Sequence, residues 1–128
     1  MEALLKQAAQ GMRDNGFEVA ELRTAAEARD FLLARIDAGA SVGVGGSVSV
    51  RDINVLSALA ERGCKVYSGW GAKPEDVPMI RRNSRDADVY LCSANAVTKT
   101  GELVLVDGLG NRVGAVCDGP RDVYFVIS

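Results

Sequence analysis

The sequence predicts an α/β fold: a mostly parallel sheet with helices on both faces and an added C-terminal β-hairpin. Three observations carry this expectation. Short Val-rich runs alternate with segments of helical periodicity through the first two thirds of the chain, the pattern of strand–helix–strand units. Capping and stop residues separate those segments at helix spacing. In the last third, two apolar runs, Leu103–Val106 and Val113–Cys117, flank the turn Asp107-Gly108-Leu109-Gly110-Asn111. Its Asp, Asn and Gly residues tolerate the left-handed backbone of tight turns. Neither run alternates polar with apolar, so the hairpin is expected to be covered on both faces and to add antiparallel strands at a sheet edge.

The elements follow in order. Glu2–Asn15 reads as a helix, with Leu4, Leu5, Ala8 and Met12 on one face, stopped by Asn15-Gly16. Phe17–Ala20 alternates and predicts a short strand. Thr24 with Glu27 is a capping box that opens a helix through Phe31, Leu32 and Ile36 to Gly39. Ser41–Val44 is a short buried strand running into Gly45-Gly46-Ser47. A helix follows, with Ser49 and Asp52 as its capping box and Gly63 as its stop. Lys65–Tyr67 is the next strand, and Ser68–Val77 is a loop holding Trp70, read as a lid or an interface anchor. Pro78 suits the first turn of a helix to about Asp86, whose Arg81, Arg82 and Arg85 read as a solvated face. Asp88–Ser93 and Asp122–Ile127 complete the strands.

At 128 residues the chain is expected to be one domain, 1–128. Its 48% apolar and 25% charged residues are ordinary for a water-soluble fold. A net charge of −2 gives no basic footprint for nucleic acid. No apolar stretch approaches the ~20 residues of a membrane span. The first ten residues lack the apolar core of a signal peptide, so a cytoplasmic location is expected. There is no histidine, which removes Ser-His and Cys-His nucleophile pairs and leaves acid–base work mainly to Asp, Glu or Lys. Cys64, Cys92 and Cys117 are widely spaced, so no bound metal is expected. The apolar last strand, Val123–Ile127, predicts an edge that a second copy covers in a homodimer.

The strand–turn–helix at Val42–Asp52 is the best site signal. Gly45 and Gly46 allow close approach of a ligand to the backbone, Ser47 and Ser49 add hydroxyls, and Arg51 adds charge. Such a turn suits a small anionic metabolite. The plainer reading is a capped βα turn. It is not a dinucleotide fingerprint, since Val48 holds the third glycine position, and no Gly-Lys-Ser/Thr makes it a P-loop. Ligands of open α/β sheets lie at the C-terminal ends of the strands. The loop after Val44 and the segment after Cys92 both start at such ends, so they share a cleft if their strands are neighbours. In the last third, Asn95, Thr98, Lys99, Glu102, Asp107, Asn111 and Arg112 crowd around the expected hairpin, and Gly108 in its turn is a further ligand-binding candidate. Asp107, Asn111 and Arg112 are expected to form one polar cluster serving the same cleft as Gly46. An exposed Asp–Arg pair without function is the alternative.

Two motifs together resemble a known family. GVGGSVSVRDINVLSAL (Gly43–Leu59) and SANAVTKTGELVLVDGLGNRVGAVCDGPRDVYFVIS (Ser93–Ser128) look like the LUD, or lactate-utilisation, domain family. The specific part is NAVT, GELV, DG-x-GNRV and GP in that order and spacing. The resemblance implies a fold like that of ribose-phosphate isomerases and CoA-transferases. It also implies a place in lactate-to-pyruvate oxidation systems beside iron–sulfur partner proteins. No cofactor is expected in this chain itself. By motif position, the family's ligand loop falls on Gly45, Gly46 and Ser47, and its glycine-rich turn on Asp107, Gly108, Gly110, Asn111 and Arg112. Asn54 stands where the family's helix is expected to have Gly. Many members are longer, and the chain is expected to lack their extra helices or cysteine-rich segment.

Three functions are compatible with these residues. One is a LUD-type domain binding a small anion. Another is an enzyme acting on a sugar phosphate or acyl-CoA, with Glu102 or Asp107 as base. The third is a non-catalytic interaction domain.

Overall fold

A computed structural model of the chain describes residues 2–128. The centre is a four-stranded sheet of β1 (Ser41–Val44), β2 (Lys65–Tyr67), β3 (Val89–Cys92) and β6 (Asp122–Phe125), ordered β2-β1-β3-β6. All its pairings are parallel, with Val42 level with Val66 and with Val89, and Leu91 level with Tyr124. A separate antiparallel pair joins β4 (Ala96–Val97) to β5 (Leu103–Val104).

Alternation along the strands divides the core. Val42, Val44, Val89 and Leu91 face one side, where α2 (Ala25–Arg35), α3 (Val48–Asp52) and α4 (Val55–Glu61) bury Leu32, Val50, Val55 and Leu59 against them. Tyr90 and Cys92 face the other side and pack on Ala115 of α6 (Asn111–Cys117). On that side, α5 (Val77–Arg85) follows a single 3-10 turn at Pro74–Asp76. α5 lies directly on β1: a Cβ added at Gly43 would stand 2.6 Å from the Ser84 carbonyl oxygen. The parallel sheet with helices on both faces is therefore as expected.

Several boundaries obeyed local chemistry. α1 (Glu2–Asp14) ends at Gly16, whose φ of 95° is left-handed. Thr24 Oγ1 accepts from the Glu27 amide at 3.1 Å, while a Glu27 carboxylate oxygen accepts from the Arg23 amide, so the capping signal opens α2. That helix stops at Arg35, before the left-handed Gly39.

Four expectations are corrected. Phe17–Ala20 forms no strand, because alternation supplies no ladder partner. The helix after Gly46 is capped by Ser47, whose Oγ accepts from the Val50 amide at 3.2 Å; Ser49 lies inside α3. It is also broken in two. Asn54 has φ 56°, the one left-handed non-glycine residue among those described, and separates α3 from α4. The position where the family is expected to have Gly is thus one whose backbone favours Gly. Finally, the strand expected at Val113–Cys117 is helix α6, and the antiparallel pair lies earlier, at Ala96–Val97 and Leu103–Val104. It is not an edge of the main sheet. Gly110, with φ 74°, reverses the chain just before Asn111, and burial of Ala115 against Tyr90 and Cys92 outweighs the weak helix propensity of Val and Gly.

Candidate functional site

β1 and β3 are neighbours, so the turn after Val44 and the segment after Cys92 leave the sheet side by side. Chain connections diverge there: β1 leads to β2 on one side, and β3 leads to β6 on the other. This is the position at which open α/β sheets form a crevice.

The turn itself is built in three steps. The Gly45 amide donates to the Leu91 carbonyl at 3.0 Å, extending the β1–β3 pairing by one residue. Gly46 then takes φ 68° and is exposed, with nothing within 4 Å of where a Cβ would stand. Ser47 is buried and caps α3. With only five residues, α3 sums few peptide dipoles, so positive charge near this turn must come largely from side chains. Arg51 is not one of them. Its guanidinium lies over the Trp70 ring at 4.4 Å. Ser49 shares a hydrogen bond with Ser128 at 3.3 Å.

The loop 107–112 meets this turn through Arg112. Its Nη2 donates to the Gly45 carbonyl at 3.1 Å and its Nη1 to Asn95 Oδ1 at 3.3 Å. Asn95 Oδ1 also accepts from the Val106 amide at 2.9 Å. Asp107 Oδ1 is 3.8 Å from Arg112 Nε, an ion pair too long for a hydrogen bond, and Nε is a buried donor with no acceptor. Asp107 Oδ2 accepts from the Val113 amide at 2.6 Å, which fixes the first turn of α6. Both side chains are enclosed, at 15% exposure for Arg112 and 7% for Asp107. The exposed-pair alternative is therefore wrong: this is a buried ionic brace.

A cavity of about 130 Å³ opens beside the turn. Val44 and Tyr90 line it from the sheet, Arg81 and Arg85 from α5, Asn111 from α6, and Gly46 from the turn. An adjoining groove of about 200 Å³ shares Arg81, Arg85 and Asn111 and adds Arg82. Arg81, Arg82 and Arg85 make no ion pair among the described residues. Arg82 and Arg85 are exposed, as expected of a solvated face, and Arg81 and Arg85 also border the cavity. No local signal reveals it, because Asn111 and Gly46 reach these arginines only through the fold.

The structure thus brings Gly45, Gly46, Ser47, Asn95, Asp107, Asn111 and Arg112 together. Gly108 lies in an exposed bend outside the hydrogen-bonded group. Glu102 is elsewhere in the bonding pattern: it accepts from the hydroxyls of Thr100 and Thr98, which hold its carboxyl below the usual range, Thr100 most. The β4–β5 hairpin that carries it is tied to the turn after α1 by Asn15 Nδ2, which donates to the Thr100 and Gly101 carbonyls. No group of three or more His, Cys, Asp or Glu among the described residues is placed to hold a metal ion, and no helix is long and apolar enough to cross a membrane.

Two buried groups under the site titrate late. Burial, with smaller contributions from neighbouring charges, pushes Cys92 from 9.0 to about 12 and Tyr90 from 10.0 to about 12. Tyr90 is therefore a neutral hydroxyl donor at neutral pH. Raised pKa values in the folded state mean that the unfolded chain releases these protons first. Stability should be full below pH 9.0 and fall as pH rises toward about 12. Urea midpoints measured from about pH 8 to about pH 11 should decline progressively; a flat profile would show that these groups are not protected by the fold.

Comparison with curated proteins found no match, and neither did comparison with solved structures. The family model of the LUD domain matches residues 5–128, including both motifs that meet at Gly45 and Arg112. With that match spanning essentially the whole sequence, the chain belongs to the LUD domain family.

Proposed function

We propose that this LUD domain serves a lactate-utilisation system by binding a small anionic metabolite in the cleft at the C-terminal ends of β1 and β3. One observation carries the reading: Arg112 Nη2 donates to the Gly45 carbonyl, which joins the two family motifs into one unit. The brace fixes the turn, and Gly46, left-handed and open to solvent, is where a ligand can approach the backbone closely. Asp107, with one oxygen on Val113 and the other facing Arg112, supports the brace in this reading, and Arg112 holds the turn.

The test is isothermal titration of the purified chain with L-lactate, pyruvate and inorganic phosphate, alongside Gly46→Val. A β-branched residue at φ 68° is strained by about 1–2 kcal/mol, and the turn must change shape to relieve it. At least one anion should bind the parent chain and fail to bind Gly46→Val. Equal binding to both proteins would place the ligand elsewhere, and no binding of any anion would favour an interaction domain.

A further inference from the structure

The cleft carries more positive charge than a monocarboxylate can answer. Arg81 and Arg85 line both the cavity and the groove, Arg82 lines the groove, and no acidic residue lines either. None of the three has a carboxylate partner among the described residues, so their forks are free to meet an anion. Guanidinium forks match phosphoryl oxygens in pairs, and a phosphate monoester offers two charges and three terminal oxygens where a carboxylate offers one charge and two oxygens.

A second observation is independent of the arginines. Tyr90 is 2% exposed and lines the same cavity. Its hydroxyl stands beside the turn, 2.7 Å from where a Cβ on Gly45 would lie. A neutral hydroxyl donor on the wall of a space that Arg81 and Arg85 also line suits a bound oxyanion. Size limits the rest of the ligand. Pockets for drug-sized ligands run to roughly 300–1,000 Å³, whereas the cavity is about 130 Å³ with a groove of about 200 Å³ beside it. A compact anionic head fits the cavity, with a short tail along the groove.

We infer that the cleft binds the phosphoryl group of a small phosphate monoester, with Arg81, Arg85 and the Tyr90 hydroxyl as its donors. This rests on the reading of the cleft as an anion site and names the class of anion.

Isothermal titration with inorganic phosphate, ribose 5-phosphate and L-lactate tests it on the full chain and on Arg81→Gln/Arg85→Gln. Ribose 5-phosphate should bind more tightly than inorganic phosphate, because its carbon portion occupies the groove, and both should bind more tightly than L-lactate. The double variant should lose phosphate affinity by roughly tenfold or more, the worth of charge-assisted contacts. Arg85 is exposed, so Arg85→Gln alone keeps the fold and should still weaken phosphate binding by about threefold or more if the double variant fails to fold. L-lactate bound with phosphate ignored would overturn the phosphoryl assignment and leave the anion cleft standing. Phosphate bound equally by parent and variants would also overturn it, by placing phosphate away from α5. No binding of any of the three would remove both readings. Inorganic phosphate bound more tightly than ribose 5-phosphate would rule out the monoester.

Discussion

Asp107→Ala should cost about 3 kcal/mol or more of folding stability, in the range seen when one partner of a buried ion pair is removed. The carboxylate does two things. Its Oδ2 holds the Val113 amide at the start of α6, and its Oδ1 faces Arg112 Nε at 3.8 Å. Removing it strands an amide donor and leaves a guanidinium, at 15% exposure, with only the neutral acceptors Gly45 O and Asn95 Oδ1. Against a total stability of about 5–15 kcal/mol this is a large fraction. A fall of roughly 10 °C in melting temperature should follow. Asp107→Asn keeps an acceptor for Val113 and should cost less. A loss below about 1 kcal/mol for the alanine variant would mean that the pair behaves as a solvated surface pair.

The second large effect is expected at Gly43→Ala. Gly43 is buried in the middle of β1, and its φ is not left-handed, so alanine strains nothing locally. The obstacle is the backbone of α5: the new Cβ would meet Ser84 O at 2.6 Å and Ser84 Cα at 2.7 Å. Rigid helix backbone cannot yield as a side-chain tip can, so the cost should lie near or above the upper end of the about 1–3 kcal/mol of overpacking. Displacing α5 would also disturb the bond from Ser84 Oγ to the Tyr67 carbonyl and move Arg81 and Arg85 relative to the cleft. Urea unfolding should show the loss of stability, and titration with inorganic phosphate should show weaker binding in the same variant. A neutral substitution would contradict the direct seating of α5 on β1.

What could be read from the sequence was what local chemistry decides. Thr24 and Glu27 announce α2 because a side chain three residues from an amide can reach it unaided. The double glycine announces a special turn because only glycine takes φ 68° freely. The meeting of Gly45 with the Asp107–Arg112 loop followed from the parallel-sheet topology and from the pairing of β1 with β3. The misreadings were non-local. Asn111–Cys117 is rich in Val and Gly, and only its packing on Tyr90 and Cys92 and the reach of Asp107 to Val113 make it a helix. Phe17–Ala20 alternates like a strand but lies beside no ladder. The solvated face read for the α5 arginines fits the exposure of Arg82 and Arg85, while their sharing a groove with Asn111 is set by the fold alone.

Amide chemical shifts of the parent chain, followed while each of the anions above is added, test the central claim that the two family motifs form one ligand cleft. A binding anion should shift Gly46 and Ser47 together with Asn111 and Arg112, in one saturable event with a single midpoint. Shifts confined to one motif, or spread over residues outside the cleft while both motifs stay still, would contradict it.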